Sequence, residues 1–379
     1  MKNLSKISFI IFAITGTIAA QSFYTNYVMK GTSLDINPSA SQIGSGESSV
    51  ANNFIAGSYF SNPAAIASKG GIHFFFNERK NDWNTFFKNM AFQSFGTEIR
   101  TSFGAIVLAY HKYSSGDLQY VSPLWSVASE TQKDINNTFI IGFAGSPIKG
   151  FSVGASTKIF NKKRTSTLGV GNSLESNSPI LIDLGILYTF DSFISSDSYS
   201  DQLNIGGAIQ NFGTDYEQNE HIFNQGFNKV KLPRFARIGF AYKANMVLGS
   251  KVRAETSLIF SGEYKNLLNP GNAEGSMRDY WNFGIEAGLL KTLYLRLGAV
   301  NSPEKNILYD SKKFLLRYGA GINIPFLGSL LGMPVDVEFN YSLTEINDIS
   351  LYNMDGSQMN GKTSLSSFGV SININRKIL

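Results

Sequence analysis

Residues 335–341, V-D-V-E-F-N-Y, constrain the fold of this chain more than any other stretch. Val335, Val337, Phe339 and Tyr341 are apolar or aromatic, and Asp336, Glu338 and Asn340 between them are polar. Side chains alternate across a β-strand, so the two sets lie on opposite faces. The alternation recurs through the second half. Over 151–159, Phe151, Val153, Ala155, Thr157 and Ile159 oppose Ser152, Gly154, Ser156 and Lys158. Over 180–190, Ile180, Ile182, Leu184, Ile186, Tyr188 and Phe190 oppose Asp183 and Gly185. A soluble sandwich explains one such strand. A long series, with acids and bases on one face, points to a closed barrel that is apolar outside and polar in its lumen.

Composition agrees. Charged residues make up 16% of the 379, aromatics 13%, and there are 36 Gly and no Cys. The charged share is well below the roughly 25% of typical soluble proteins. Without Cys there is no disulfide, no thiolate metal site and no Cys nucleophile. Residues 1–20 read as a secretory signal: Lys2 and Lys6, an apolar run over 7–14, and small residues before Gln21. The run is shorter than the ~20 residues of a spanning helix. Removing Lys2 and Lys6 takes the formal charge from +5 to +3, which speaks against a nucleic-acid partner.

Residues 21–70 are rich in Ser, Asn, Gly and Ala and carry Asn37-Pro38 and Asn62-Pro63. They are expected to form an N-terminal plug inside the barrel, with Asn62, Pro63 and Ala64 as its anchoring turn. Over 71–379, fourteen strands are predicted: 72–78, 87–95, 100–113, 138–144, 151–159, 180–190, 203–211, 234–243, 251–260, 281–289, 293–300, 315–324, 334–343 and 366–375. Short links (145–150, 244–250, 290–292, 325–333) alternate with long ones (114–137, 161–179, 212–233, 261–280, 301–314, 344–365), and 191–201 is intermediate. Tight turns on one side and long loops on the other suit an all-β, antiparallel transmembrane barrel. An even strand count leaves both termini on the periplasmic side.

At this point the chain resembles the FadL superfamily of outer-membrane barrels, in particular its PorV/PorQ-like branch. The segments that carry the likeness are Asn62-Pro63-Ala64 after a small-residue stretch, Asp183-Leu184-Gly185 with Tyr188, and Gln210-Asn211 before Gly213. Leu232-Pro233 with Arg237 and Gly239, and Gly284-Ile285-Glu286 with Arg296 and Gly298, complete the set in the family's order. The resemblance implies a fourteen-stranded, plugged barrel. It also implies either passage of hydrophobic small molecules or a place in type IX protein secretion, with machine or cargo proteins as partners.

No enzyme site or cofactor is expected. His73, His111 and His221 are isolated, and Asp348 and Asp355 lack a calcium-loop spacing. By alternation Asp183, Arg237, Glu255, Glu286, Arg296, Arg317, Asp336 and Glu338 face inward, and charges confined there should pair across strands. Trp281, Tyr242, Tyr188, Phe190 and Tyr341 are placed outward, at the lipid interface. A hydrophobic ligand, if carried, is expected between the plug and the first strands, around Phe54, Phe60, Phe74, Ile106 and Leu108.

Overall fold

The computed structural model describes residues 33–68, 70–81, 90–101, 103–115, 118–121, 129–166, 174–175, 177–218, 228–248, 254–269, 279–301, 315–324, 335–346, 351–352, 358–359 and 363–374. The expected signal segment, His221, Asp348, Asp355 and parts of each long link lie outside these residues. Among the described residues, fourteen antiparallel strands form the wall. They are β1 Ile72–Asn81, β2 Met90–Thr101, β3 Gly104–Ser114, β4 Ser129–Ile148, β5 Phe151–Ser166, β6 Ile180–Ser196 and β7 Tyr199–Gly213, followed by β8 Phe235–Leu248, β9 Ala254–Leu267, β10 Asp279–Leu289, β11 Leu293–Asn301, β12 Leu315–Ile324, β13 Val335–Ile346 and β14 Thr363–Ile374. Each pairs with its sequence neighbour, and β1 pairs with β14 from Ile72↔Ile374 to Lys80↔Ser366. The sheet therefore closes and leaves no open edge in the wall.

The strands match the predicted ones in order, but their ends differ where the alternation fades. β3 starts at Gly104, which takes a positive φ of 151°, and Arg100 and Thr101 continue β2 opposite Ala105 and Gly104. β4 begins well before 138; its polar start has no apolar pattern and pairs beyond the band with β5 and with a short strand, Leu118–Val121. The intermediate link 191–201 becomes a hairpin, with β6 running to Ser196 and β7 starting at Tyr199.

The two faces of the wall are chemically distinct. Along β6, Ile180, Ile182, Leu184, Ile186 and Tyr188 are exposed, while Leu181, Asp183 and Leu187 between them are buried. The same outward apolar set recurs in β10 (Trp281, Ile285), β11 (Leu295, Leu297) and β13 (Phe339, Tyr341). A continuous exposed band of this kind marks a lipid-facing surface.

Residues 33–68 lie inside the ring. They comprise short turns at Ser33–Asp35, Ser58–Phe60 and Pro63–Ser68 and one five-residue helix, α1 Ala40–Gly44, capped by the Ser39 side chain. This inner segment is almost wholly buried. Its backbone follows the wall from strand to strand: Gly44 beside Gly319 of β12, Gly46 beside Gly298 of β11, Val50 beside Gly206 of β7, and Pro63-Ala64 beside Gly154 of β5. A methyl group on Gly206 would stand 2.5 Å from the Val50 carbonyl oxygen, and one on Gly154 would stand 2.5 Å from the Ala64 nitrogen. The wall has glycine where another backbone crosses it at close range.

Gly206 and Gly207 give a matched test within one strand. A side chain on Gly206 points into the inner segment; one on Gly207 meets nothing closer than 3.6 Å. Gly206→Val is expected to lower stability by about 1–3 kcal/mol, as overpacking does, and to expose the inner segment to protease. Gly207→Val is expected to leave both unchanged, read by thermal unfolding and limited proteolysis of the two variants.

Candidate functional site

A polar cluster joins the inner segment to β7, β8 and β9. Register places Arg237 of β8 across from Ala208 and Lys265, with Glu263 two residues from Lys265 on the same face. Arg237 donates through Nη1 to Glu263 Oε1 at 2.8 Å and through Nε to Gln210 Oε1 at 2.5 Å. The other oxygen of Glu263 accepts from the backbone N–H groups of Ser49 and Val50, both at 2.8 Å. Gln210 donates to the Phe60 carbonyl at 2.5 Å, and Arg237 also reaches Ser61 Oγ at 3.3 Å. Asp35 is bridged by Lys265 and lies 3.5 Å from Arg237. Three separated points of the inner segment are thus tied to one ion pair of the wall.

Asn62, Pro63 and Ala64 sit at the far edge of this cluster. Asn62 Nδ2 donates to the carbonyls of Val50 (2.7 Å) and Ile186 (2.9 Å), and its Oδ1 accepts from Ala64 N at 2.9 Å. The side chain therefore joins two stretches of the inner segment to β6, and closes the turn in which Pro63 begins a 3-10 helix.

The remaining sequence-selected charges are distributed around the wall. Asp183 is buried, 2.6 Å from Lys158, and accepts from Asn211 N. Glu286 and Arg296 are register partners, with Arg296 Nε 2.5 Å from Glu286. Arg296 also reaches Glu338 at 3.2 Å and Asn340 at 2.6 Å, two strands away. Arg317 turns to the inner segment, 3.5 Å from Glu47. Burial pushes the Glu47 carboxyl above the usual carboxylate range, against the pull of Arg317 and Arg237. Glu255 stands at the rim, 45% exposed, 2.5 Å from Lys291. Asp336 shares the inward side of β13 and is half-buried.

The apolar candidates are divided by the structure. Phe60 is buried inside, and Phe54 is half-buried on the inner segment. Phe74 and Leu108, 45% and 44% exposed, point outward with Ile106, so these three cannot line a lumen site. Phe74-Phe75-Phe76 and Ile106-Val107-Leu108 are apolar at every position, which hides the face. Polar neighbours decide it: Asn77, Arg79 and His111 lie inward, bringing Phe75, Val107 and Ala109 in with them. The inward set packs with Tyr59, Phe60, Ile66, Ile140 and Ala144 into a filled apolar layer. His111 is held in it, with Nε2 2.9 Å from the Tyr59 hydroxyl. Glu263 and Lys265, the partners that sequence reasoning missed, lie past the end of the strand expected over 251–260. The polar sequence there resembles a loop, but alternation continued from Ser257 and Ser261 reaches both.

A cavity of about 200 Å³ opens where the short turns lie, between Phe54 and Ile55 of the inner segment and strands β8 to β13. Charged groups around it are Lys243, Glu255, Glu286, Lys291, Arg296 and Glu338.

The chain matches no family model and no curated protein sequence. Solved structures similar to it include a Pseudomonas aeruginosa FadL homologue, at 13% identity and a TM-score of 0.44 over 89% of this chain and 98% of that one. The Ralstonia pickettii toluene transporter TbuX is similar at 12% identity and 0.48 over 88% and 97%. The Pseudomonas putida toluene transporter TodX is similar at 10% and 0.46 over 95% and 100%. The barrel described above rests on its own strand pairing, not on these likenesses.

Removing Glu263 takes from Arg237 its 2.8 Å partner and leaves it only Asp35, at 3.5 Å and shared with Lys265. Glu263→Ala is expected to destabilise the protein by about 3–5 kcal/mol, the range for a broken buried pair. Adding Arg237→Met should cost much less than a second loss of that size, because no unpaired charge remains. Thermal or denaturant unfolding of the two single variants and the double variant reads the coupling, and full additivity would remove it.

Proposed function

We propose that this protein is an outer-membrane barrel that passes small hydrophobic compounds, with residues 21–70 acting as its plug. On this reading the chain is exported by its N-terminal segment, the termini and short turns face the periplasm, and the long links face outward. The protein binds and passes its substrate without chemical change. The observation that carries the reading is the division of the lumen. Between β1–β4 and the inner segment lies a layer of buried apolar side chains, including Phe75, Val107, Ile140, Tyr59 and Phe60. Elsewhere the inner segment is tied to the wall by charge and hydrogen bonds.

A lumen filled in this way does not suit a water-filled pore. A polar solute would have to displace the inner segment from Glu263, Arg237 and Arg317. An apolar solute meets a side held mainly by packing and by a few neutral hydrogen bonds, such as Ala40 N to Asn77 and Tyr59 to His111, where small shifts of side chains open space without stranding a charge. The toluene transport named for two of the similar structures is in keeping with this reading. The secretion role also implied by the sequence resemblance would be carried by loops outside the described residues.

Uptake by cells with an intact outer membrane tests the proposal. Cells making the protein are expected to take up a radiolabelled monoaromatic hydrocarbon or fatty acid faster than cells without it, with no faster uptake of labelled sucrose. Faster sucrose uptake, or no gain for either hydrophobic compound, would contradict the proposed passage.

A further inference from the structure

The cavity at the short-turn end contains three cations and three carboxylates that are unevenly matched. Lys291 lies 2.5 Å from Glu255, and Arg296 holds both Glu286 at 2.5 Å and Glu338 at 3.2 Å. Every carboxylate in the lining therefore touches a cation already. Lys243 is different. Among the described residues no carboxylate stands within ion-pair distance of it, Glu286 and Glu255 attract it only from further off, and its Nζ sits 5.2 Å from the centre of the Phe54 ring. That contact satisfies part of an ammonium's demand, while a partly buried cation still favours an anionic partner.

The apolar part of the cavity adjoins Lys243. Phe54 and Ile55 form one side and Ile259 another. The volume of about 200 Å³ is somewhat larger than the ~150 Å³ of a cavity that takes benzene. We infer that this cavity binds a small monocarboxylate about one aromatic ring in size, with its carboxylate on Lys243 and its hydrocarbon against Phe54, Ile55 and Ile259. A neutral molecule of the same shape leaves Lys243 unpaired. A cation brings a like charge beside Lys243 and gains only from Glu286 and Glu338, which already share Arg296. Phe54 and Ile55 belong to the inner segment and Lys243 to β8, so an occupant touches both. Its use as a station in passage rests on the function proposed above; the binding itself does not.

Equilibrium dialysis of the purified, detergent-solubilised protein tests this with three labelled probes of one shape: benzoate, benzyl alcohol and benzylamine. Benzoate is expected to bind at least about tenfold more tightly than the other two, a difference of about 1.4 kcal/mol or more. Lys243→Met should remove that preference and leave benzyl alcohol unaffected, whereas Lys243→Arg should keep it. Heat-modified migration on gels shows whether each variant is folded, and the wild-type comparison needs no variant. Benzoate binding no better than benzyl alcohol, tighter binding of benzylamine, or an unchanged Lys243→Met would overturn the site. Benzoate binding without hydrophobic uptake by cells would uphold the site and remove the passage.

Discussion

A length of irregular backbone enclosed in a barrel must find hydrogen-bond partners there, and the rest of the interior follows from that demand. Residues 45–62 bond among themselves in short turns, as from Phe60 N to the Gly57 carbonyl, and these leave other backbone groups open. The wall supplies the remainder: Glu263 for the N–H groups of Ser49 and Val50, Gln210 for the Phe60 carbonyl, and Asn204 for the Ala51 carbonyl at 3.2 Å. Side chains of this length reach a backbone only when it runs close to the wall. Close approach in turn needs wall positions without a Cβ, which is where Gly154, Gly206, Gly298 and Gly319 stand. Glycine and long polar side chains are two halves of one solution.

The lumen charges take their role from the same constraint. Some pair strand to strand within the wall, as Lys158 with Asp183 and Arg296 with Glu286 and Glu338, and others hold the inner segment. Arg317 pairs with Glu47, Arg237 and Lys265 both engage Asp35, and Glu263 holds backbone. In a dehydrated interior such contacts resist separation because each released group is left unpaired. The apolar layer under β1–β4 carries no comparable penalty. Under the function proposed above, that contrast, more than pore width, favours hydrophobic compounds as cargo.

The barrel was legible in the sequence because its outer face alternates with period two. Ile180 to Tyr188 shows lipid and lumen sides without ambiguity, and the turn at 290–292 places Glu286 opposite Arg296 by counting alone. Legibility failed where both parities are apolar. Phe74, Ile106 and Leu108 were expected inside, and only the polar residues further along β1 and β3 reveal that they face out. It failed again for contacts between the wall and the inner segment. Arg317 has Gly298 and Thr344 beside it on the two neighbouring strands, yet its acid, Glu47, comes from a stretch with no periodicity. Nothing in local pattern announces such a pairing.

The central claim is that residues 33–68 are docked inside the closed wall. Ser48 and Ser261 allow a direct measurement, since their hydroxyl oxygens lie 2.5 Å apart and the chain has no cysteine. Serines this close can be replaced by cysteines within reach of disulfide geometry. In Ser48→Cys with Ser261→Cys, mild oxidation of the folded protein in outer membranes should form the cross-link nearly completely, seen as a shift in gel migration reversed by reductant. A pair that stays reduced in the folded barrel while two exposed control cysteines oxidise would contradict the docking.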